Sequence, residues 1–214
     1  MISFSSRYQY FKLLLAAVIV FSNSVNANSK EQALNSKLSN SNKTLLSQLT
    51  INQGKGHFSQ KKYFKFLSQP IISEGRFIVK DESVLWQTES PVFSQLLVKP
   101  NAIFKRLSIK ENYQLLVENA QLSSVLKAIF NGQISMQNWQ LLDAENQLQS
   151  CINLKPKSEQ LQQVFKLATL CLLKDNRRQI VLVDTQDNKT EILMQLSHTP
   201  LNEKDIDSLK REQK

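Results

Sequence analysis

The chain has 214 residues, with 27 Lys or Arg, 18 Asp or Glu and a formal net charge of +9. This length suits one domain with a substantial core. Its basic residues are scattered, which argues against a nucleic-acid site, and the densest group, Lys61, Lys62 and Lys65, lies on an alternating strand pattern. We interpret that group as a solvated basic face.

Residues 1–27 have the features of a secretory signal. Arg7 and Lys12 precede an unbroken apolar run over residues 13–21, and the small residues of the Val25–Ala27 segment suit a signal peptidase. The run is short for a membrane span, which needs about 20 apolar residues. We predict cleavage after Ala27 and a periplasmic location, with an uncleaved N-terminal anchor as the alternative.

The mature chain remains basic, because the signal contains two basic and no acidic residues. A basic exported protein is expected to meet acidic proteins or anionic lipid headgroups, and not nucleic acid. We divide the chain into the signal, a mobile leader over 28–43, a domain over 44–200 and a frayed tail over 201–214.

Cys151 and Cys171 are the only cysteines. Both lie in strand-like segments, so they could form a disulfide across an antiparallel pair after export, or they could be two buried free thiols. A zinc site is not expected, because His57 and His198 are the only histidines.

The first half of the domain predicts an antiparallel meander. A short helix over 44–51 and a flexible loop over 53–57 precede a strand over 57–67, which would place Phe58, Phe64 and Phe66 on one face. Strands over 71–80, 84–90, 92–98 and 102–109 follow, with turns at 81–83 and 99–101. Their alternation puts Phe77 and Val79 on one face, and Val84, Trp86 and Thr88 on one face of the next strand.

The second half mixes helices with more strands. Helical spacing over 122–132 ends at Asn131-Gly132, and 134–142 also favours a helix, although a strand fits it. Strands over 147–155, 166–174, 179–186 and 189–196 enclose a short helix opened by Ser158, with turns at 175–178 and at Asp187-Asn188. The pattern is that of a sandwich or a barrel.

Motifs for catalysis are missing from the sequence. Neither histidine accompanies a nucleophile motif, and Asp81 with Glu82 sits where acids are ordinary turn residues. We therefore expect a binding or carrier protein without a cofactor or a metal, and not an enzyme.

One stretch carries a specific resemblance. From His57 to Pro100 it contains F-x-Q, an apolar strand, S-x-G, a turn, a tryptophan, and a proline before an L-V strand. The residues concerned are Phe58, Gln60, Ser73, Gly75, Trp86, Pro91, Leu97 and Val98. In this order, behind a signal peptide, they resemble the periplasmic outer-membrane lipoprotein carrier family, in its divergent LolA-like branch, and a weaker likeness extends to about residue 195.

The resemblance implies a mainly β fold: an open, strongly curved antiparallel half-barrel with a helical lid. It implies a monomeric carrier that binds acyl chains of a lipoprotein or another lipid, and it implies inner-membrane donor and outer-membrane acceptor proteins as partners. Each buried methylene would contribute about 0.8 kcal/mol. The expected lipid-binding residues are Phe58, Phe64, Phe66, Phe77, Val79, Val84, Trp86 and Leu97, and ordinary core is the alternative for each of them.

The sequence departs from the family at one place. Where carriers of this kind have an Arg-Pro pair whose arginine tethers the lid, this chain has Lys80-Asp81, and lysine lacks the planar hydrogen-bonding fork. Two other functions compete with the carrier. One is an adaptor, or an accessory factor of a glycolipid or lipid export system, that binds protein through the same sheet. The other is an enzyme that acts on a lipid.

Overall fold

A computed structural model describes residues 40–142 and 150–210. The signal, most of the leader and the last four residues of the tail therefore lie outside the described residues. The elements are α1 (Asn40–Leu49), β1 (Gln53–Tyr63), β2 (Ile71–Lys80), β3 (Ser83–Ser90), β4 (Ser94–Val98), β5 (Ala102–Arg106), β6 (Gln114–Glu118), α2 (Ala120–Asn131), β7 (Trp139–Leu142), β8 (Cys151–Pro156), α3 (Glu159–Gln162), β9 (Phe165–Leu172), β10 (Arg177–Asp184), β11 (Lys189–Leu196) and α4 (Glu203–Ser208).

All eleven strands belong to one antiparallel sheet, in the order β6-β5-β4-β3-β2-β1-β11-β10-β9-β8-β7. Strands β6 and β7 are its two edges, so the sheet is curved but not closed into a barrel. The predicted fold class, an open, curved antiparallel sheet with helices, is confirmed. Strand β1 lies at the centre because the last strand, β11, pairs with it.

Left-handed residues form several of the predicted turns. Asp81 has φ 53°, Asp187 has φ 62°, and the neighbours Asp175 and Asn176 have φ 59° and 55°. Asp and Asn tolerate this conformation better than other side chains do, and two such residues in succession form the hairpin turn that matches strand twist. The predictions of turns at 81–83, 175–178 and 187–188 are confirmed.

Helices α1 and α2 lie on one face of the sheet, which we call the inner face. Its register puts Phe77 opposite Trp86, and Val79 opposite Val84, so the predicted alternation of these strands is confirmed. Helix α2 contacts β3, β4 and β5, while α1 contacts β8 and β9. The larger apolar cluster fills this face; from the helices it includes Leu45, Leu49, Val125, Leu126, Ile129 and Phe130.

The opposite, outer face contains a second and smaller cluster. Its apolar members are Ile78, Leu85, Leu97, Phe104, Tyr113 and Leu209. Beside them lies a buried polar network. The Tyr113 hydroxyl donates to Gln95 Oε1 over 2.8 Å, Arg106 donates to the same oxygen, and Gln95 donates to Gln87. Arg106 also stacks on the Tyr113 ring, with 4.5 Å between the guanidinium carbon and the ring centroid.

Helix α2 confirms the helix predicted over 122–132. The Asn119 side chain accepts a hydrogen bond from the Leu122 amide at its start. At its end, Gly132 adopts φ 74° and its N–H donates to Ala128 O. A left-handed glycine is the usual stop for a helix, since it has no Cβ to clash.

Two predicted boundaries around β1 are wrong. Residues 53–57, expected as a flexible loop, form the first half of β1 and pair with β2, and Gly56 and His57 also pair with β11. The strand then ends at Tyr63 and not at 67. Phe64 and Phe66 therefore follow the strand and do not share a face with Phe58.

The helix favoured over 134–142 is also wrong. Turn residues precede Trp139, which begins β7 and pairs with Pro156 of β8. Strand pairing at the sheet edge outweighs the weak helical spacing of this segment.

The tail predicted to be frayed contains a helix in the structure, α4. Asn202 and Asp205 form a reciprocal capping box at the start of α4, and Leu209 is buried in the outer cluster.

Cys151 and Cys171 lie directly opposite each other on β8 and β9. Their sulfur atoms are joined in a disulfide that closes a sequence separation of 20 residues. The sequence left open a disulfide or two buried free thiols, and the structure has the disulfide.

Candidate functional site

The connections β1–β2, β3–β4, β5–β6 and β10–β11 all lie at one end of the sheet, because neighbouring strands run in opposite directions. We call this end the rim. Among the described residues, every exposed large hydrophobic side chain lies in these connections or at the start of the strand that follows. They are Phe66, Leu67, Ile71, Ile72, Val92, Leu107, Ile109 and Leu115. Apolar side chains gathered in this way mark interaction surfaces more often than single exposed ones do.

Three aromatic rings stack from the sheet to α2. The Trp86 indole lies between Phe58, at a ring-centroid distance of 3.8 Å, and Phe130 of α2, at 4.4 Å. The angles between the ring planes are 21° and 20°. Aromatic pairs contribute about 0.5–1.5 kcal/mol each beyond the burial of area. The stack joins α2 to the centre of the inner face.

Glycines on the neighbouring strands make room for these rings. Gly75 is the cross-strand partner of Phe58, and Gly56 is the partner of Phe77. A Cβ atom on Gly75 would lie 3.0 Å from the Phe58 ring and 1.9 Å from the Gln87 carbonyl oxygen. A Cβ atom on Gly56 would lie 2.8 Å from the Phe77 ring. Each phenylalanine ring therefore covers a position where no side chain fits.

A cavity of about 90 Å³ lies between α2 and the rim half of the inner face. Its apolar wall consists of Trp86, Leu96, Leu126, Ile129, Phe130, Phe165, Leu182 and Ile192. Its polar wall consists of Gln60, Lys62, Thr88, Ser94, Gln95, Lys105, Asp184 and Thr190. These polar residues lie in the strand ends near the rim, while the aromatic stack lies deeper, so the cavity is amphipathic.

Two lysines face this cavity from different strands. Lys62 of β1 is 7% exposed, and burial lowers its pKa from 10.5, an effect that the nearby Asp184 carboxylate partly opposes. Lys105 of β5 also has a pKa lowered by burial. Removing a charged ammonium group from water costs free energy. Burial therefore disfavours the protonated form of each lysine and lowers its pKa.

The predicted site residues separate into three groups. Phe58, Phe77, Val79, Val84 and Trp86 lie together in the inner cluster, and of these Trp86 lines the cavity. Phe64 and Phe66 follow β1 at the rim, with ring centroids 5.2 Å apart, and Phe66 is 78% exposed.

Leu97 is the exception among the buried site residues. It is opposite Leu85 in the β3–β4 register and belongs to the outer cluster. The shared site that the resemblance implied for Leu97 and Trp86 is therefore wrong, since side chains alternate between faces along a strand.

The helices are held by residues other than Lys80-Asp81. Arg178 of β10 donates to the Gln48 and Thr50 carbonyl oxygens at the end of α1, over 2.9 and 3.4 Å, and burial lowers its pKa to about 10. Glu82, in the β2–β3 turn, forms a 3.2 Å ion pair with Lys127 of α2. An arginine therefore contacts the end of a helix here through one nitrogen, Nη2, but from another strand than the resemblance implied.

Several cavity residues were not anticipated from the sequence. Lys62 was interpreted as solvated, while Lys105, Asp184 and the α2 residues Ile129 and Phe130 were not singled out. The alternation of β1 does place Lys62 on the same face as Phe58, and that was the one available signal. The pairing of β1 with β11, which brings in Asp184, joins segments that are far apart in the sequence.

Within residues 40–142 and 150–210, no group of three or more His, Cys, Asp or Glu side chains could hold a metal ion. Over the same residues, none of the helices has the length and apolar character needed to cross a membrane. The cavity wall combines apolar side chains with polar ones, among them Lys62 and Lys105.

Neither a family model nor a curated protein matches the chain. Among solved structures, the crystal structure of a LolA superfamily protein from Nitrosomonas europaea is similar, with a TM-score of 0.41 and 10% sequence identity. The match covers 74% of this chain and 94% of that chain. Similarity at this level does not assign a function, and the open-sheet fold follows from the strand order and register alone.

Proposed function

We propose that this protein binds an alkyl chain of a lipoprotein or another lipid in the inner cavity and carries it through the periplasm toward the outer membrane. The observation that supports this most is the apolar wall formed by α2 and the sheet, next to the stacked Trp86. An alkyl chain gains about 0.8 kcal/mol for each methylene that it buries. A wall of aromatic and branched aliphatic side chains without a catalytic group suits a ligand held by area and not by chemistry.

The size of the cavity implies that α2 moves when a long chain binds. At about 90 Å³ it is smaller than the engineered cavity of ~150 Å³ that accepts benzene. A chain of twelve or more carbons therefore needs Phe130 to leave Trp86 and widen the space. The Lys127–Glu82 ion pair opposes this only weakly, because Glu82 is exposed and such pairs contribute about 0–1 kcal/mol.

The exposed hydrophobic side chains of the rim support an entry route at this end. They surround the strand ends that supply the polar wall of the cavity, so a lipid that leaves a membrane or a partner protein would meet them first. The same side chains also suit a protein-binding adaptor, which is the second candidate function. A donor at the inner membrane and an acceptor at the outer membrane would both dock here if the carrier function holds.

Native mass spectrometry of the protein purified from its own compartment tests the carrier against the adaptor. A carrier is expected to retain a lipid mass, and in a Trp139→Phe background its Trp86 emission is expected to shift to the blue when lipid is added to the stripped protein. Trp139 must be removed because it is a second, buried tryptophan in β7.

A matched pair of variants locates the binding. Leu182→Phe adds volume inside the cavity and is expected to weaken binding, while Leu201→Phe adds the same volume at a partly buried site beside the outer cluster. Circular dichroism checks that both variants keep the sheet. An empty native protein without any lipid response would contradict the carrier and favour the adaptor.

Export is a separate part of this proposal. If the signal is removed after Ala27, the intact mass of the exported protein corresponds to a chain that begins at Asn28. A mass that retains residues 1–27 would contradict a soluble periplasmic carrier and would favour an N-terminal anchor.

A further inference from the structure

The cavity contains a cation for which the protein supplies no counter-ion. Lys62 is 7% exposed and lines the cavity, and within the described ranges its ammonium group makes no hydrogen bond and no ion pair. Its Nζ lies over the Phe64 ring, at 4.9 Å from the ring centroid. Its neighbours in the sequence differ, because Lys61 is exposed and Lys65 forms a 2.8 Å ion pair with Asp187.

The one acidic residue of the cavity wall is already occupied. The carboxylate of Asp184 accepts hydrogen bonds from the Asn188 amide at 2.8 Å, from Asn188 Nδ2 at 2.9 Å and from the Gln186 amide at 2.9 Å. These bonds close the β10–β11 turn. Asp184 therefore acts on Lys62 through space and does not pair with it.

A second lysine without a partner faces the same cavity. The Lys105 ammonium group forms neither an ion pair nor a hydrogen bond with the residues that the structure describes. Together with Lys62 and Asp184, it gives the cavity wall one net positive charge. Thr88, Ser94 and Thr190 add hydroxyl donors near the same strand ends.

Buried charges are usually paired, since an unpaired one costs the free energy of its lost hydration. A cation that faces a cavity lined on its other side by Leu126, Ile129 and Phe130 is suited to an amphiphile. The alkyl chain would contact α2, and the headgroup would meet Lys62. One net positive charge matches a headgroup with one negative charge.

We propose that Lys62 forms a headgroup site, with Lys105 adding positive charge to the same cavity wall, and that the cavity selects amphiphiles whose headgroup is a single anion, either a carboxylate or a phosphodiester. This inference rests on the proposed function, because it requires an alkyl chain in the cavity. It adds which lipids are preferred and which side chains discriminate. The Lys62 ammonium group donates charge-assisted hydrogen bonds to the headgroup oxygens, and these are stronger than bonds between neutral groups.

Three ligands with the same twelve-carbon chain test the site: dodecanoate, lauroyl-lysophosphatidylglycerol and dodecanol. Their binding is measured by Trp86 emission in the Trp139→Phe background at neutral pH and low salt. We expect at least one of the two anions to bind about tenfold more tightly than the neutral alcohol. The tighter of the two shows whether the natural headgroup is a carboxylate or a phosphodiester.

The variants are Lys62→Met and Lys105→Met, with Lys61→Met as the matched control. Lys62→Met is expected to remove most of the preference for the anion over dodecanol, because methionine keeps an unbranched side chain, one atom shorter than that of lysine, and loses the charge. Lys61 is exposed, so its variant should bind like the parent. Lys105→Met should reduce the preference in the same direction.

The outcomes separate the two proposals. If all three ligands bind equally to the parent, or if Lys62→Met keeps the full preference for the anion, the headgroup site is wrong while the carrier function stands. If none of the three binds, the proposed alkyl-chain function itself fails and the headgroup site fails with it.

Discussion

The two faces of the sheet are both buried at their centres, yet they differ in how their polar groups are satisfied. On the outer face, Arg106, Gln95 and Tyr113 bond to one another, and the apolar cluster around them is closed. On the inner face, Lys62 is equally buried but has no partner, and a cavity lies beside it. Adjacent residues of β5, Lys105 and Arg106, thus belong to opposite environments.

This difference indicates what each face contributes. A polar network whose members bond to one another holds β3, β4 and β5 together. An incompletely filled face with unpaired cations contributes less to the free energy of unfolding. Binding sites form on surfaces of this kind. We infer that the outer face mainly stabilises the fold. The inner face is less stable than a filled and fully paired face would be, and it provides the ligand site.

The largest loss of stability is expected from a substitution at the centre of the inner face. Gly75→Ala would place a Cβ atom 1.9 Å from the Gln87 carbonyl oxygen, so β2 and β3 must separate or the Phe58 ring must move. We expect the free energy of unfolding to fall by about 3 kcal/mol, measured by urea denaturation. Gly54→Ala is the matched control. Its new Cβ atom would lie 3.6 Å from the Ile51 side chain, which is an ordinary contact, so this variant should be tolerated. Equal losses in the two variants would contradict the packing of rings over glycines.

Removing the disulfide tests whether the sheet can lose stability without changing the cavity. The bond closes a loop of 20 residues, for which the chain-entropy model gives about 3 kcal/mol. Cys151→Ser combined with Cys171→Ser should lose roughly that amount in denaturant while keeping its lipid affinity, because neither cysteine lines the cavity. Thiol labelling of the unreduced, denatured parent should find no free cysteine, and two labelled thiols would show that no bond forms.

The neighbours on β5 provide the most direct comparison of the two faces. Arg106→Met removes a charged donor from the outer network and should destabilise the protein by about 2 kcal/mol. Lys105→Met removes a cation that burial already disfavours, so it should be neutral or slightly stabilising without ligand. Thermal unfolding of the two variants measures the contrast. Equal destabilisation would show that Lys105 is satisfied after all.

The smallest expected effect concerns the rim, where lysines have partners. Asp187 is bound by Lys65 and Lys166, and their hydrogen bonds lower its pKa from 3.8 to about 2. Because this pKa is lower in the folded state, the stabilisation is present above about pH 4 and is lost as the pH falls through about 2. Solvent and salt screen this exposed carboxylate, so the change in stability should be small.

An NMR titration of the Asp187 carboxyl carbon measures that pKa. Lys166→Met should return it toward its ordinary value, since it removes the largest cause of the shift. Lys61→Met is the control, because Lys61 does not contact Asp187. An unchanged pKa in the Lys166 variant would contradict the ion pairs at the rim.

Local patterns in the sequence were enough for the strands and for the inner alternation of β2 and β3. Period-2 hydrophobicity and turn residues such as Asp81 predicted the meander and put Phe77, Val79, Val84 and Trp86 together. Helical spacing and Gly132 predicted α2 and its end. These features depend on backbone geometry over a few residues, which neighbouring side chains in the sequence specify.

Contacts between distant segments decided the rest. The closing of β11 onto β1 buried Lys62 beside Asp184, although its own neighbours Lys61 and Lys65 are solvated. Strand register placed Leu97 on the outer face, and the end of β1 at Tyr63 left Phe66 exposed at the rim. Burial and electrostatic surroundings are sums over residues far apart in the chain, and they arise only when the sheet has formed and α2 has packed on it.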